Sequence, residues 1–332
     1  MLKYHKNEAK EYARTALKGV WTALPYHFTA DDKLDEKAIA HSLDYSISEL
    51  KIEGHYCSGN VAEFWSLTNE ERMRAHEINV EAAKGRIPLI AGCHHQNPYE
   101  VVKLAKHAEA IGIDYVIVLT PYQGAKNDDA VYDFYRFICE RVNIGIVLFN
   151  IPTVYYPISE HLATRLAKLP NIAGFKQGGG APGAMIGLRK AIGSQLSFSC
   201  ADEAPWLHNM TVNKDQWLLN YCPHLYQTAG YTPVQDYTEA ARAGDYKKAI
   251  EICSTLTPLR EAHHKWIGSY GKPQGRMPSA EMKYWQELIG MPGGPVRTPC
   301  TEMTEQAKAE MYADLKATGL LDRVRQPALE AA

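Results

Sequence analysis

Short apolar runs alternate with longer amphipathic stretches along most of the chain. The first run, "GVWTALPYHF" (19–28), precedes a helical pattern over about 35–50. Runs recur at "IEGHYCSG" (52–59), "IPLIAGC" (87–93), "YVIVLTP" (115–121), "IGIVLFN" (144–150), "IAGFKQG" (172–178), "LSFSCA" (196–201) and "QWLLNYC" (216–222). Short apolar runs of this kind are the signature of strands buried on both faces. The segments between them carry helix signals. Thr68 can cap a helix and Glu71 supplies the capping-box partner, while Pro98 suits a first helical turn. Further helices are predicted near 128–143, 158–168, 183–192 and 202–212. Eight such repeats over roughly 200 residues point to a (β/α)8 TIM barrel. A doubly wound open sheet is the alternative, since periodicity alone does not close a barrel. No GxGxxG follows the first strand, which weakens a dinucleotide reading.

After about residue 233 the strand-like runs stop. Helical patterns at 234–243, 245–267, 279–290 and 302–318 read as a C-terminal helical appendage, with Gly- and Pro-bearing linkers around 268–278 and 290–299. The expected organisation is an N-terminal helical extension (1–18), a barrel (19–232) and a C-terminal helical region (233–332).

Composition narrows the partners. With 332 residues, 45% hydrophobic and 22% charged, the chain has ample material for a core. A formal net charge of -2 gives no reason to expect nucleic acid or an anionic membrane. No apolar run approaches the roughly 18 residues of a membrane span. The opening "MLKYHKNEAKEYARTALKGV" is charged and lacks the apolar centre of a signal peptide. Seven cysteines without CxxC spacing read as reduced thiols, and a cytoplasmic location is expected.

Barrel enzymes place their chemistry at the C-terminal ends of strands. There the chain presents Thr22 and Tyr26, Cys57 to Asn60, Cys93 with His94 and His95, Thr120 and Tyr122, Phe149 and Asn150, Lys176, Cys200, and Tyr221 with Cys222. A lysine inside a barrel sits in low dielectric, which lowers its pKa and exposes a neutral, nucleophilic amine. From spacing alone, a lysine that snorkels or pairs with a carboxylate fits as well. The strand-end cysteines and nearby histidines have the composition of a zinc site, but no CxxC or HxxxH pair anchors one and buried cysteine packs well as a small residue. No metal ligand is therefore assigned.

Four short motifs, in order and at matching barrel positions, resemble the dihydrodipicolinate synthase / N-acetylneuraminate lyase family of class I aldolases: "GNVAEFWSLTNEE" (59–71), "TPYQ" (120–123), "FNIP" (149–152) and "GFK" (174–176). The resemblance extends from about residue 19 to 318. It implies that Lys176 forms a Schiff base, that backbone N–H groups of Asn60 and Val61 bind the carboxylate of a 2-oxo acid, and that Tyr122 is a secondary catalytic candidate. Phe149 and Tyr155 are candidate substrate contacts. The resemblance implies no cofactor, because the protonated Schiff base is itself the electron sink, and it implies a homo-oligomer, commonly a tetramer.

The chain departs from the family pattern in ways that bear on substrate. Phe149 stands where the family has its proton-shuttling tyrosine, and Asn60 and Val61 where hydroxyl residues often relay to it. Val154 occupies the place of the arginine with which dihydrodipicolinate synthases hold a second carboxylate. Tyr122, Tyr155 and Tyr156, then His94 and His95, are candidates to replace the missing phenol, with water or substrate-assisted transfer as the remaining alternative. The expected activity is a Schiff-base-forming lyase (aldolase, hydro-lyase or hydratase-aldolase) acting on a 2-oxo acid such as pyruvate, and not dihydrodipicolinate synthase itself. A non-catalytic sensor of 2-oxo acids or sugar acids, and a metal-dependent barrel enzyme, are the competing readings.

Overall fold

The computed structural model describes residues 2–179, 182–268 and 277–324. Eight parallel strands close into one barrel in sequence order: β1 (Gly19–Thr22), β2 (Gly54–Cys57), β3 (Leu89–Gly92), β4 (Tyr115–Leu119), β5 (Gly145–Asn150), β6 (Ile172–Gln177), β7 (Ser197–Cys200) and β8 (Trp217–Leu219). Closure comes from β8 pairing with β1, Trp217 opposite Gly19 and Leu219 opposite Trp21. This settles the choice between barrel and open sheet. The strands are shorter than the apolar runs because each run continues into the loop that follows its strand. The run 19–28 yields only Gly19–Thr22, since Pro25 has no N–H to give a ladder.

Helices separate successive strands, and their starts follow local chemistry. Thr68 Oγ1 accepts from the Glu71 N–H at 3.1 Å while the Glu71 carboxylate accepts from the Thr68 N–H at 3.0 Å, opening the helix Asn69–Ala83. Asn97 caps the helix Pro98–Ala110, with proline in its first turn. Beneath the barrel, the helix Ala9–Ala16 is tied to β4 by the Tyr115 hydroxyl, which donates to Ala9 O at 2.8 Å.

The C-terminal helices are Pro233–Arg242, Tyr246–Ser254, Thr257–Trp266, Ser279–Leu288 and Glu305–Ala317. The helix predicted over 245–267 is two helices: Pro258 sits in the first turn of the second, where its missing N–H is harmless, whereas inside one continuous helix it would break a hydrogen bond. The linker predicted at 268–278 lies mostly outside the described residues. This helical part is fastened to the loop after β2. Lys283 Nζ pairs with Glu63 at 2.7 Å, both side chains fully buried, and Arg297 donates through its N–H to Glu63 Oε2 at 3.0 Å and through its guanidinium to both Glu71 oxygens at 2.8 and 2.9 Å. The loop that will matter most at the site is thus held from outside the barrel.

Candidate active site

Lys176 lies near the C-terminal end of β6, in register with Phe149 on β5 and Ser199 on β7. Its amine opens onto a cavity of about 320 Å³ at the barrel mouth. Nζ stands 3.8 Å from the centroid of the Phe149 ring, and among the described residues no carboxylate is within ion-pair distance. A ring face returns about 0.5–2 kcal/mol to a cation, less than the several kcal/mol that burying an unpaired ion costs. Burial therefore decides, and it pushes the Lys176 pKa down to about 7. Roughly half of the amine is then neutral at pH 7, against about one part in two thousand for a free lysine.

Facing the amine is the turn after β2. Ser58 adopts a left-handed φ of 53°, Asn60–Ala62 form a single 3-10 turn, and Glu63 is again left-handed at 56°. Ser58 is held by the Tyr26 hydroxyl, which accepts from its N–H at 2.9 Å and lies 3.0 Å from its Oγ. The N–H groups of Gly59, Asn60 and Val61 donate to no other described residue, and the Asn60 side-chain oxygen is buried without a hydrogen-bond partner. Consecutive free N–H groups in such a turn make an anion-binding concavity. Gly59 has to be glycine: a β-carbon there would lie 2.7 Å from ring atoms of Tyr56.

The rest of the wall comes from the ends of β7 and β8 and from the C-terminal helices: Asp202 at the rim, Asn220, Tyr221, Cys222 and His263. Asn220 is fixed between the ends of β7 and β8, donating to Ala201 O at 2.5 Å and accepting from the Cys222 N–H at 2.6 Å. His263 Nε2 sits 3.3 Å from Cys222 Sγ. Burial holds this imidazole neutral, its pKa near 4, and raises the thiol well above its usual range, so the pair is no thiolate nucleophile. The other strand-end thiols, Cys57, Cys93 and Cys200, are likewise pushed up by burial, the last two to about 12. Among the described residues no group of three His, Cys, Asp or Glu side chains converges on a metal position.

The structure brings Lys176, Asn60, Val61 and Phe149 to one cavity, with Val154 at its rim. Tyr122 and Tyr155 lie elsewhere. They line a second cavity with His94, His95 and Arg72, and Tyr122 is 56% exposed. Tyr122 sits in the loop after β4, its N–H donating to Gln96 Oε1 at 3.0 Å, and its ring is exposed rather than turned to Lys176. Tyr156 donates to Asp128 at 3.0 Å and does not line the Lys176 cavity. Trp206 and Trp217 are buried in the core. Among the polar cavity residues, Tyr56, Thr153, Asp202, Asn220 and His263 escape the sequence reading. Tyr56 alone left a signal, as a phenol within a strand whose other positions read as core. His263 left none, because nothing local shows that its helix leans over the barrel mouth.

A model of the dihydrodipicolinate synthetase family matches residues 16–318. A 4-hydroxy-tetrahydrodipicolinate synthase of Phenylobacterium zucineum is 30% identical over 314 residues, covering 92% of this chain and 98% of the relative. One of Acidiphilium cryptum is 30% identical over 91% of this chain and 99% of its own length. Among solved structures, dihydrodipicolinate synthase of Aquifex aeolicus superposes with a TM-score of 0.79 at 24% identity, covering 91% of this chain and 98% of that one. N-acetylneuraminate lyase of Mycoplasma synoviae gives 0.76 at 20% identity, covering 91% and 98%. At such identities the superpositions speak for the fold alone.

Proposed function

Because the chain belongs to the dihydrodipicolinate synthetase family, whose members are class I aldolase-type lyases, we propose that it is a Schiff-base-forming lyase acting on a 2-oxo acid through Lys176. The observation that carries the reading is the buried amine with its pKa near 7, without a carboxylate partner among the described residues and opening onto a cavity. A neutral amine attacks a ketone, and loss of water leaves an iminium that withdraws electrons from the neighbouring carbon. The free N–H groups of Asn60 and Val61 support a role in holding the acid's carboxylate beside that amine. Phe149 supplies an apolar floor that keeps the amine dry.

The relatives of Phenylobacterium zucineum and Acidiphilium cryptum are named 4-hydroxy-tetrahydrodipicolinate synthases. Here Val154 stands at the rim where that class carries an arginine, and among the described residues the cavity's only cationic side chain is Lys176, with Asp202 opposite in sign. Among the described residues a second carboxylate has no cationic partner besides Lys176, so condensation of aspartate semialdehyde with pyruvate should be inefficient.

The test is borohydride reduction in the presence of pyruvate and a panel of other 2-oxo acids, read by intact mass. The reading predicts a reduced adduct with at least one acid and none in Lys176→Ala. No adduct with any acid overturns it. Phe149, which lacks the hydroxyl of the family's proton shuttle, favours one further reading, a binder that forms the adduct without turnover. Turnover assayed beside trapping separates the two.

A further inference from the structure

Between the two cavities stands a partition made by Tyr56 of β2 and His94, the second residue past β3. Tyr56 faces the Lys176 cavity and His94 the second one. Their rings meet edge to face at 6.1 Å, and the Tyr56 hydroxyl is hydrogen-bonded to His94 Nε2. Both are buried. The Tyr56 ring also meets Phe149 edge to face at 6.4 Å, on the ring over which the Lys176 amine lies. Its phenol end abuts Gly59: a β-carbon there would be 3.1 Å from the hydroxyl oxygen. The phenol end is thus set beside the turn whose N–H groups are open to an anion, and the Tyr56 side chain lines the same cavity as the amine.

The direction of the Tyr56–His94 bond can be worked out. His94 Nδ1 accepts from the Leu119 N–H at 3.1 Å, so it carries no proton. In a neutral imidazole the proton then sits on Nε2 and is donated to the Tyr56 oxygen. Burial, with the Arg72 and Lys176 charges adding to it, keeps this ring neutral. Arg72 fixes the main chain here, donating to His94 O at 2.8 Å and Gly92 O at 2.6 Å. The phenol oxygen therefore accepts at His94, and this bond does not use the phenol proton.

We propose that Tyr56 is the proton-transfer residue of the Lys176 site, with His94 as its positioning residue. The proposal rests on the Schiff-base reading and supplies the acid–base group that Phe149 cannot. The steps balance. The neutral amine attacks the carbonyl carbon, the C–N bond forms, and the carbonyl π pair moves to oxygen, which takes the Tyr56 proton. The tyrosinate takes a proton back from the new ammonium, giving a carbinolamine. Tyr56 then protonates the departing hydroxyl, which leaves as water with the C–O pair while the nitrogen lone pair forms the iminium. The tyrosinate finally removes a proton from the neighbouring carbon, whose C–H pair becomes the C=C bond of an enamine, and Tyr56 is restored. Amine and ketone have become enamine and water with no other reagent. The His94 Nε2–H steadies the tyrosinate at each turn.

The experiment follows exchange of the pyruvate methyl protons in heavy water by NMR, beside borohydride trapping, using the full-length protein. Tyr56→Phe should slow exchange by about 10²–10⁴-fold, with the half-saturating pyruvate concentration little changed and the trapped adduct still reached on long incubation. His94→Leu should slow exchange roughly ten- to a hundredfold. His94→Gln, which keeps a side-chain N–H donor, should recover much of that loss; a merely structural role would not follow the donor. Exchange at the parental rate in Tyr56→Phe, with trapping intact, overturns the assignment and leaves the Schiff-base reading standing. Neither adduct nor exchange in the parent protein overturns the reading beneath it. Should Tyr56→Phe fail to fold, equal exchange rates in His94→Leu and His94→Gln overturn the proposal on their own.

Discussion

Lys176 and Lys283 both carry their amines over an aromatic ring, 3.8 Å from the centroid of Phe149 in one case and 4.4 Å from that of Phe28 in the other. Both are depressed in pKa by burial. What surrounds them differs. Lys283 has the Glu63 carboxylate at 2.7 Å and the Pro295 carbonyl at 2.6 Å, and the Glu63 charge works against the effect of burial. Lys176 has burial alone. A buried lysine with a carboxylate is a cross-link, and here it ties the C-terminal helices to the turn after β2. A buried lysine with no carboxylate partner among the described residues opens onto a cavity as an amine that is about half uncharged at pH 7. The two are joined in function, because Glu63 ends the turn that begins at Gly59 and Asn60.

Exchanging the roles of these lysines should produce opposite phenotypes. Lys176→Met should abolish the borohydride-trapped adduct and leave the protein at least as stable, since it removes an unpaired buried amine. The sign follows from linkage. With the folded pKa near 7 and the unfolded value near 10.5, the unfolded chain binds the extra proton between those limits. The native lysine is therefore destabilising below pH 7, and the advantage of Lys176→Met in urea unfolding should shrink as pH rises from about 7 to about 10. Lys283→Met should instead strand the Glu63 charge and cost about 3–5 kcal/mol. Pairing it with Glu63→Leu should return most of that loss, because an apolar pair often replaces a buried ion pair without penalty. A Lys283→Met protein of unchanged stability would remove the cross-link from this account.

A smaller effect separates a displaced proton path from a lost one. Phe149→Tyr places a hydroxyl at a position now filled by an apolar ring; a buried hydroxyl left unpaired there costs roughly 1–3 kcal/mol. Turnover of the best 2-oxo acid should stay level or fall while trapping persists. A tenfold gain in kcat/KM would mean that position 149 still carries the proton path and Tyr56 does not.

The barrel was legible because its signals are local. Continuous apolar runs marked each strand, and Thr68 with Glu71 and Pro98 marked helix starts that the structure keeps. Lys176 was legible as a candidate for a related reason: a lysine closing an apolar run at a strand end stands out, although spacing alone left open a lysine that snorkels or pairs with a carboxylate. Pairings across the chain were not legible. Nothing in "EMKYWQEL" shows that Lys283 is buried, because its partner sits on a turn of the barrel that reaches it only after the helices dock. Tyr56 and His94 lie on the ends of neighbouring strands, and their contact depends on the register of β2 with β3, His55 opposite Leu89 and Tyr56 opposite Ile90. Tyr122 and Tyr155 were singled out by motif position, which fixes a place along the chain and not the direction of a loop side chain. They meet in the second cavity.

The most direct measurement maps the reduced pyruvate adduct by peptide mass spectrometry on protein trapped across pH 5–9. The account predicts initial trapping on the Lys176 peptide, rising with pH through a midpoint near 7, and no modification of the Lys283 peptide. An adduct on another residue, or trapping at Lys176 that climbs without levelling toward the ordinary lysine range near 10.4, would contradict it.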